Sequence, residues 1–395
     1  MSGLQKFVLG SLALIAGLLI GVVLHVGMQM YGTWAQQPLG PGLSMPTSNT
    51  WSLPPTWTPS PPAGATVAAA ATPATPIGEP TLAVAGQVAI SQAYAPHCGG
   101  PAVMNLLAVG SDQRGDSYVY GLGDVIRLVR VDFVTPKVTV LEFPRDLWVE
   151  IPDIADDLGG QDHEKLNQAY LYGNRGFGYT DDPAQGPGLL ARTLGLNFGV
   201  KLDHYVGVNM RTFVNIVNAV DGIDIYLAKG VDGRTADDNS KRLVFPRGQN
   251  HLNGDEALTL ARIRNDGVFS RADHQDLVLC ALREKLTRPA VGTQIPQLIG
   301  SFQDNIQTDL SPQEITQLAC LGPQIQAQNI IFASFPQDYF RSARIYDPVF
   351  KKRVFIWDVD YGILRDYVAR FQAGTWPATM PPVPASGEEP SIICQ

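Results

Sequence analysis

Followed by the spacing of its apolar and polar positions, the chain divides into stretches of different texture. The first is an unbroken apolar run from Phe7 to Leu24, with Lys6 the only charge before it. Its length reaches the lower bound for a helix that crosses a bilayer, and Val26 to Met30 extend it past His25. The charge rule predicts one span over residues 1–30, a short cytoplasmic N-terminus and an exported remainder, a single-pass protein of the cell membrane. The competing reading is a cleaved signal peptide, since Thr33-Trp34-Ala35 resembles a small-x-small cleavage site; the run is longer than such segments usually carry. Residues 31–95 follow, rich in Pro, Thr, Ser and Ala and without apolar periodicity. That texture predicts an extended stalk, dispensable for folding of what comes after it.

From residue 96 to 375 strand and helix patterns alternate. Met104 to Val109 reads as an apolar strand, Val125 to Phe133 as a second, and Val138 to Phe143 as a third, with Thr135-Pro136-Lys137 the turn between the last two. Phe213, Ile216, Val217 and Val220 recur at helical spacing until Asp221-Gly222 stops them before a strand, Ile223 to Leu227. Asn253 and Glu256 form a capping box for a helix through Ala261, and Ser270 with Asp273 marks the start of another, to about Leu286. Ile330 to Phe335 reads as a late strand and Tyr361 to Phe371 as a last helix. The pattern predicts one large α/β domain, a mixed central β-sheet flanked by helices. Residues 376–395 form a Pro-rich tail.

Composition changes the picture in two ways. The 395 residues include 37 acidic and 29 basic side chains, a formal net charge of −8, which argues against a dedicated nucleic-acid binder. The four cysteines suit an oxidising compartment and fit no zinc-ligand spacing. Four cysteines allow three pairings, or free buried thiols; position along the chain favours Cys280–Cys320 and Cys98–Cys394.

The first three strands carry a geometric argument about chemistry. If strand one runs upward and strand two returns beside it, Asp112 and Asp124 both lie at the top edge. The tight turn then sends strand three upward, so Pro144-Arg145-Asp146 reaches that same edge. Two carboxylates beside phosphate oxygens are how a protein usually holds Mg2+. Loop aspartates also cap turns, which is the plain alternative. A second cluster joins Arg262 and Arg264, alternate residues leaving a helix, to Arg271 and Gln275, one turn apart on the next helix. Guanidinium groups grip phosphate with two parallel donors, although exposed arginines are ordinary.

The strings NLLAVGSDQRG, then Asp124, VTVLEFPRDLWVEIP and HEKLNQAYLYG resemble, in order and spacing, the motifs of the LytR-CpsA-Psr family. So do DHYVGVNMRTFVNIVNAVDGIDI, HLNGDEALTLARIR and RADHQ, and the resemblance runs from about Val103 to Leu286. It implies an enzyme that moves a glycopolymer from a polyprenyl-diphosphate carrier, bound in an apolar tunnel, onto peptidoglycan. By position it makes Asp112 and Asp124 the ligands of Mg2+ (or Mn2+), and Arg145, Arg262, Arg264, Arg271 and Gln275 the diphosphate site. Asp112, Arg145 and Arg264 become the catalytic residues, with Asp112 a candidate proton acceptor. Lys165-Leu166-Asn167 matches a segment near the site, where Asn167 has at least an equal structural reading. Leu122 stands where the family has an arginine, Val268 where it has an aspartate, and His274 where an arginine is common. The departures at Leu122 and Val268 feed one rival function, a non-catalytic polyprenyl-phosphate binder; a pyrophosphatase on the same lipid, with water as acceptor, is a further alternative.

Overall fold

Strand β1 (Val103–Ser111) realises the alternation of VMNLLAVGS, and β2 (Gly123–Asp132) returns antiparallel to it. After a short turn, β3 (Lys137–Glu142) runs antiparallel to β2, so the meander expected from the sequence is present. The computed structural model describes residues 35–45, 95–115, 118–264, 268–288 and 305–377, with Gly32, Pro54 and Cys394. The apolar run Phe7–Leu24 and most of the C-terminal tail lie outside the described residues. Among those described, no helix is long and apolar enough to cross a membrane.

Beyond β3 the chain forms a small antiparallel pair, β4 (Trp148–Glu150) and β5 (His163–Lys165), then helices α1 (Leu166–Tyr172) and α2 (Gln185–Phe198). Strand β6 (His204–Asn209) lies parallel to β1, and Asn209 caps α3 (Met210–Ala219) by accepting from the Thr212 N–H. Asp221 and Gly222 end that helix with positive φ, and a Cβ at Gly222 would come within 2.7 Å of the Leu252 carbonyl oxygen. Next come β7 (Ile223–Leu227), β8 (Val231–Asp232), β9 (Val244–Phe245) and β10 (Gly248–Leu252), with β7 paired to β10 and β8 to β9. The Asn253–Glu256 capping box opens α4 (Gly254–Leu260), and α5 (Val268–Thr287) begins two residues before the Ser270 start predicted for it. The remaining elements are β11 (Ile306–Thr308), α6 (Pro312–Leu321), β12 (Ile330–Ala333), the hairpin β13 (Arg341–Asp347) and β14 (Lys352–Asp358), and α7 (Tyr361–Gln372).

Six strands make the mixed sheet, in the order β11-β6-β1-β2-β3-β12. Alternation along each strand assigns its side chains to two faces. Leu107, Val109, Ile126, Leu128 and Leu141 belong to the first face, buried under α1, α2 and α7. Met104, Leu106, Val131, Val140 and Phe332 belong to the lower half of the second face, closed by α6. Over the upper half of that face stand α3, α4, α5 and the β7–β10 pair, which have a core of their own around Val217, Ile225, Leu260 and Val278.

Two expectations change, and one helix is new. The disulfides are Cys98–Cys320 and Cys280–Cys394, so both predicted pairings are wrong. The short turn His97–Gly99 sits beside α6, which carries Cys320, and Cys394 comes back to α5 instead of meeting the domain's other end. The segment read as stalk is not wholly separate from the domain. The Leu39 N–H donates to the Leu310 carbonyl at 3.1 Å, the Tyr205 hydroxyl donates to the Pro41 carbonyl at 3.1 Å, and Leu43 and Met45 pack on the first-face core. Lastly, α2 was not foreseen: QGPGLLARTLGLNF carries Gly and Pro in its first turn, where Pro costs least, and its apolar face is then set by burial.

Candidate active site

Asp112 follows the end of β1 and Asp124 is the second residue of β2, where the pairing slips. Ser111 pairs with Gly123 and Gly110 with Val125, so Asp124 is the extra residue of a β-bulge. A bulge frees one residue's backbone and re-aims its side chain. Here the freed carbonyl of Asp124 accepts from Arg271 Nη2 at 2.6 Å. One residue ties the two aspartates together: the Leu122 carbonyl accepts from both their N–H groups, and the Leu122 N–H donates to Asp112 Oδ1 at 2.7 Å.

The turn after β3 brings Arg145 to the same edge. Its guanidinium contacts Asp124 Oδ2 at 2.5 Å and Asp146 Oδ2 at 3.3 Å. Asp146 is in turn held by Lys165 Nζ at 2.8 Å, and Asn167 Nδ2 donates to Asp124 Oδ1 at 3.2 Å. Arg145 therefore reaches the edge through Asp124. Burial alone would lower its pKa; the carboxylates of Asp124 and Asp146 outweigh that and raise it.

The other arginines converge from α4 and α5. Arg262 and Arg264 are exposed on either side of buried Ile263, as the alternation predicted. Gln275 is engaged at both ends of its amide: Nε2 donates to the Ala261 carbonyl at 3.3 Å, and Oε1 accepts from Arg127 Nη2 at 3.2 Å. It thus braces the backbone that presents Arg262. Arg271 is pushed down to about 10 by burial, with Arg264 and Arg145 pushing the same way and Asp124 opposing. Burial and Arg145 likewise lower Arg264. Both remain cationic at neutral pH, and crowded cations of this kind are stabilised by an anion between them.

Between the upper second face and α3–α5 lies a cavity of about 770 Å3. Ala108, Val125, Val206, Phe213, Leu258 and Val278 give it apolar walls; Asp112, Asp124, Arg262, Arg264, Arg271 and Gln275 also line it. An apolar chamber joined to paired carboxylates and three arginines suits an amphipathic ligand with a multiply charged phosphate head. The two aspartates offer hard oxygen donors and no sulfur or nitrogen, which fits Mg2+ held partly by protein and partly by phosphate.

A second charged cluster lies beneath. Arg127, 3% exposed on β2, contacts Asp276, Gln275 and, at 3.5 Å, Glu142. Burial pushes Asp276 up to about 7 and raises Glu142, against the pull of Arg127. Sequence reading passed over Arg127. The signal was there: it shares a face with Val125, Val129 and Val131, so a charge stood in an apolar row.

The LytR_cpsA_psr family model matches residues 89–353. Among curated proteins, the chain is 28% identical over 209 residues to the polyisoprenyl-teichoic acid–peptidoglycan teichoic acid transferase TagV of Bacillus subtilis, covering 52% of this chain and 49% of that protein. It is 28% identical over 219 residues to TagU of Oceanobacillus iheyensis, a transferase of the same name, covering 54% and 61%. The chain thus spans about half to three fifths of the curated relatives it matches. The crystal structure of Bacillus subtilis TagV shares the fold, with a TM-score of 0.52 at 21% identity over 69% of this chain and 97% of that one. A Streptococcus agalactiae protein, gbs0355, gives 0.54 at 19% identity over 69% and 88%. With the family model matched over well more than half its length, the chain belongs to the LytR_cpsA_psr family.

Proposed function

We propose that this protein is a Mg2+-dependent phosphotransferase that moves a glycopolymer from a polyprenyl-diphosphate carrier to a peptidoglycan hydroxyl, forming a phosphodiester. It would work outside the cell membrane, anchored by the run Phe7–Leu24. One juxtaposition carries the reading: the apolar cavity is lined, on the same wall system, by Asp112, Asp124 and three arginines. The transferase names of TagV and TagU support it.

In this reading the polyprenyl chain occupies the apolar cavity and its diphosphate lies among Arg262, Arg264 and Arg271. Phosphoryl transfer asks for in-line positioning and compensation of oxygen charge, more than for covalent help. Arg264 and Arg271, preorganised and partly desolvated, stabilise charge on the departing polyprenyl phosphate. Arg145 fixes the Asp124 carboxylate, and Asn167 sets its second oxygen. Held by Asp112 and Asp124, Mg2+ would neutralise the diphosphate as a Lewis acid. The acceptor hydroxyl oxygen bonds to the sugar-side phosphorus, the bond from that phosphorus to the bridging oxygen breaks, and the hydroxyl proton would pass to Asp112 through whatever carboxylate capacity the ion leaves free.

The test is to incubate the full chain, in detergent or nanodiscs, with a synthetic polyprenyl-diphosphate glycan, with and without peptidoglycan fragments. Polyprenyl monophosphate with a glycan–peptidoglycan phosphodiester is the expected product pair. Glycan phosphate released without acceptor would make it a pyrophosphatase. Retention of unaltered lipid would make it a binder and overturn the enzymatic reading.

A further inference from the structure

The lipid cavity occupies one side of the phosphate-facing edge, and the structure carries an unassigned feature on the other. Asp124 marks the divide. Arg271 of α5 grips its carbonyl on the cavity side, whereas Asn167, at the start of α1, holds its carboxylate on the first-face side. In-line displacement requires the attacking hydroxyl to approach phosphorus opposite the departing polyprenyl phosphate. With the lipid under α3–α5, the acceptor has to arrive over α1.

That approach is flanked by aromatic rings. Tyr120, in the loop joining the two aspartates, is 62% exposed. Its φ of +65° is the left-handed region, which a bulky residue enters at a cost and which recurs at functional sites. The loop is pinned on both sides of it. Gln113 Nε2 donates to the Val119 carbonyl at 2.6 Å, and the Tyr118 hydroxyl donates to the Gly207 carbonyl at 3.2 Å. On the other side, Leu122 binds Asp112 as described. Tyr120 is two positions before Leu122, so it stands within about 7 Å of the aspartate-linking backbone. Its ring meets Phe177 edge-on at 5.5 Å, and Phe177 in turn meets Tyr172 at 5.6 Å and Tyr179 at 5.2 Å. Gly176 lets the ring lie against the backbone, because a Cβ there would sit 2.8 Å from it. Tyr120 is thus a fixed ring with an open flank, set on an edge-to-face aromatic cluster beside the reacting edge.

We propose that Tyr120, supported by Phe177, is the acceptor subsite and stacks on a hexopyranose ring of the peptidoglycan glycan strand. A pyranose with equatorial substituents presents a face of C–H groups, apolar and slightly positive, which matches the negative face of an aromatic ring. Preorganisation of the ring removes most of the ordering cost of binding. This subsite rests on the transferase reading above, and the experiment separates the two.

Full chain in nanodiscs is titrated with a peptidoglycan tetrasaccharide of alternating N-acetylglucosamine and N-acetylmuramic acid, by calorimetry and by saturation-transfer NMR. Tyr120→Ala should weaken binding about five- to tenfold, the scale of one lost aromatic stacking contact. It should raise the acceptor KM by the same factor while kcat and polyprenyl-diphosphate affinity stay put; Tyr120→Phe should restore both. Tetrasaccharide affinity unchanged in Tyr120→Ala overturns the proposal, as does a loss of lipid affinity in its place, which would put the ring on the donor side. Ring-dependent glycan binding without transfer to any acceptor keeps the subsite and sinks the transferase reading. Normal transfer with a ring-independent acceptor KM does the reverse.

Discussion

The two faces of the central sheet share one backbone and differ in what their alternate side chains do. On the first face Leu107, Leu128 and Leu141 are fully buried, met by Tyr170, Leu189, Phe198 and Phe371. On the upper second face the intervening positions are Ala108, Gly110, Val125 and Arg127, and they line the cavity. The lower second face is filled again, by Met104, Leu106, Val131 and Phe332. Room for a ligand is therefore made locally, by the short side chains of Ala108, Gly110 and Val125 on two adjacent strands, while the same strands are held from behind by close packing. The site's precision depends on that support.

The comparison can be broken at its packed side first. Leu128→Ala should cost about 2–5 kcal/mol of stability, because it opens a hole in a face with no slack; chemical denaturation measures it. A stability loss below about 1 kcal/mol would show the first face to be looser than described.

At the cavity edge the effect should fall on activity instead. Asp124→Ala and Arg145→Ala should each lower transfer by about a hundredfold or more, the scale of removing one preorganised electrostatic contact. Stability should move little for Arg145, which is partly exposed. Arg145→Lys should recover only part, since an ammonium keeps the charge and loses the fork. Transfer rates and melting curves on the same samples check both halves.

A paired substitution sharpens the contrast. Ala169→Leu, at a fully buried position on α1, should destabilise by about 1–3 kcal/mol through overpacking. Ala108→Leu points its added carbons into the cavity, so the fold should absorb them at about 0.5 kcal/mol or less, while affinity for polyprenyl phosphate drops. Equal destabilisation by the two would mean the cavity is not available space.

The smallest effect concerns the closed lower half. His204 on β6 lies 3.1 Å from Glu314 of α6 and 3.5 Å from Asp309, and the Asp309 carboxylate, against burial, raises its pKa. A raised histidine adds stability fully below its unfolded value of 6.5, and loses it as pH climbs through the folded value. His204→Gln should flatten that pH dependence, an effect below about 1 kcal/mol for a partly exposed pair.

How much of this the amino-acid order disclosed depends on the range of the interaction. The meander was legible because its strands alternate cleanly and its turn is short, and with it the meeting of Asp112, Asp124 and Arg145 at one edge. Arg262 and Arg264 were legible as alternate residues around an apolar one. What stayed hidden depends on contacts far apart in the chain. The bulge at Asp124 is a property of two strands together. The engagement of both ends of the Gln275 amide needs Arg127 from another element. Helix α2 defied its local composition because burial, not propensity, forms it. The cysteine pairings failed for the same reason: closeness along the chain says little about which ends a folded domain brings together.

The bond between Cys98 and Cys320 spans 222 residues. Every residue from Asp112 to Gln275 therefore lies on a single closed covalent ring, and so does the cavity they line. A protease that cuts one surface loop inside this ring opens it without freeing a fragment, since both new ends stay tethered through the sulfur bridge. Losing the site by proteolysis takes two cuts, or one cut and a reductant, and a singly nicked molecule keeps its parts at the effective concentration of an intact chain.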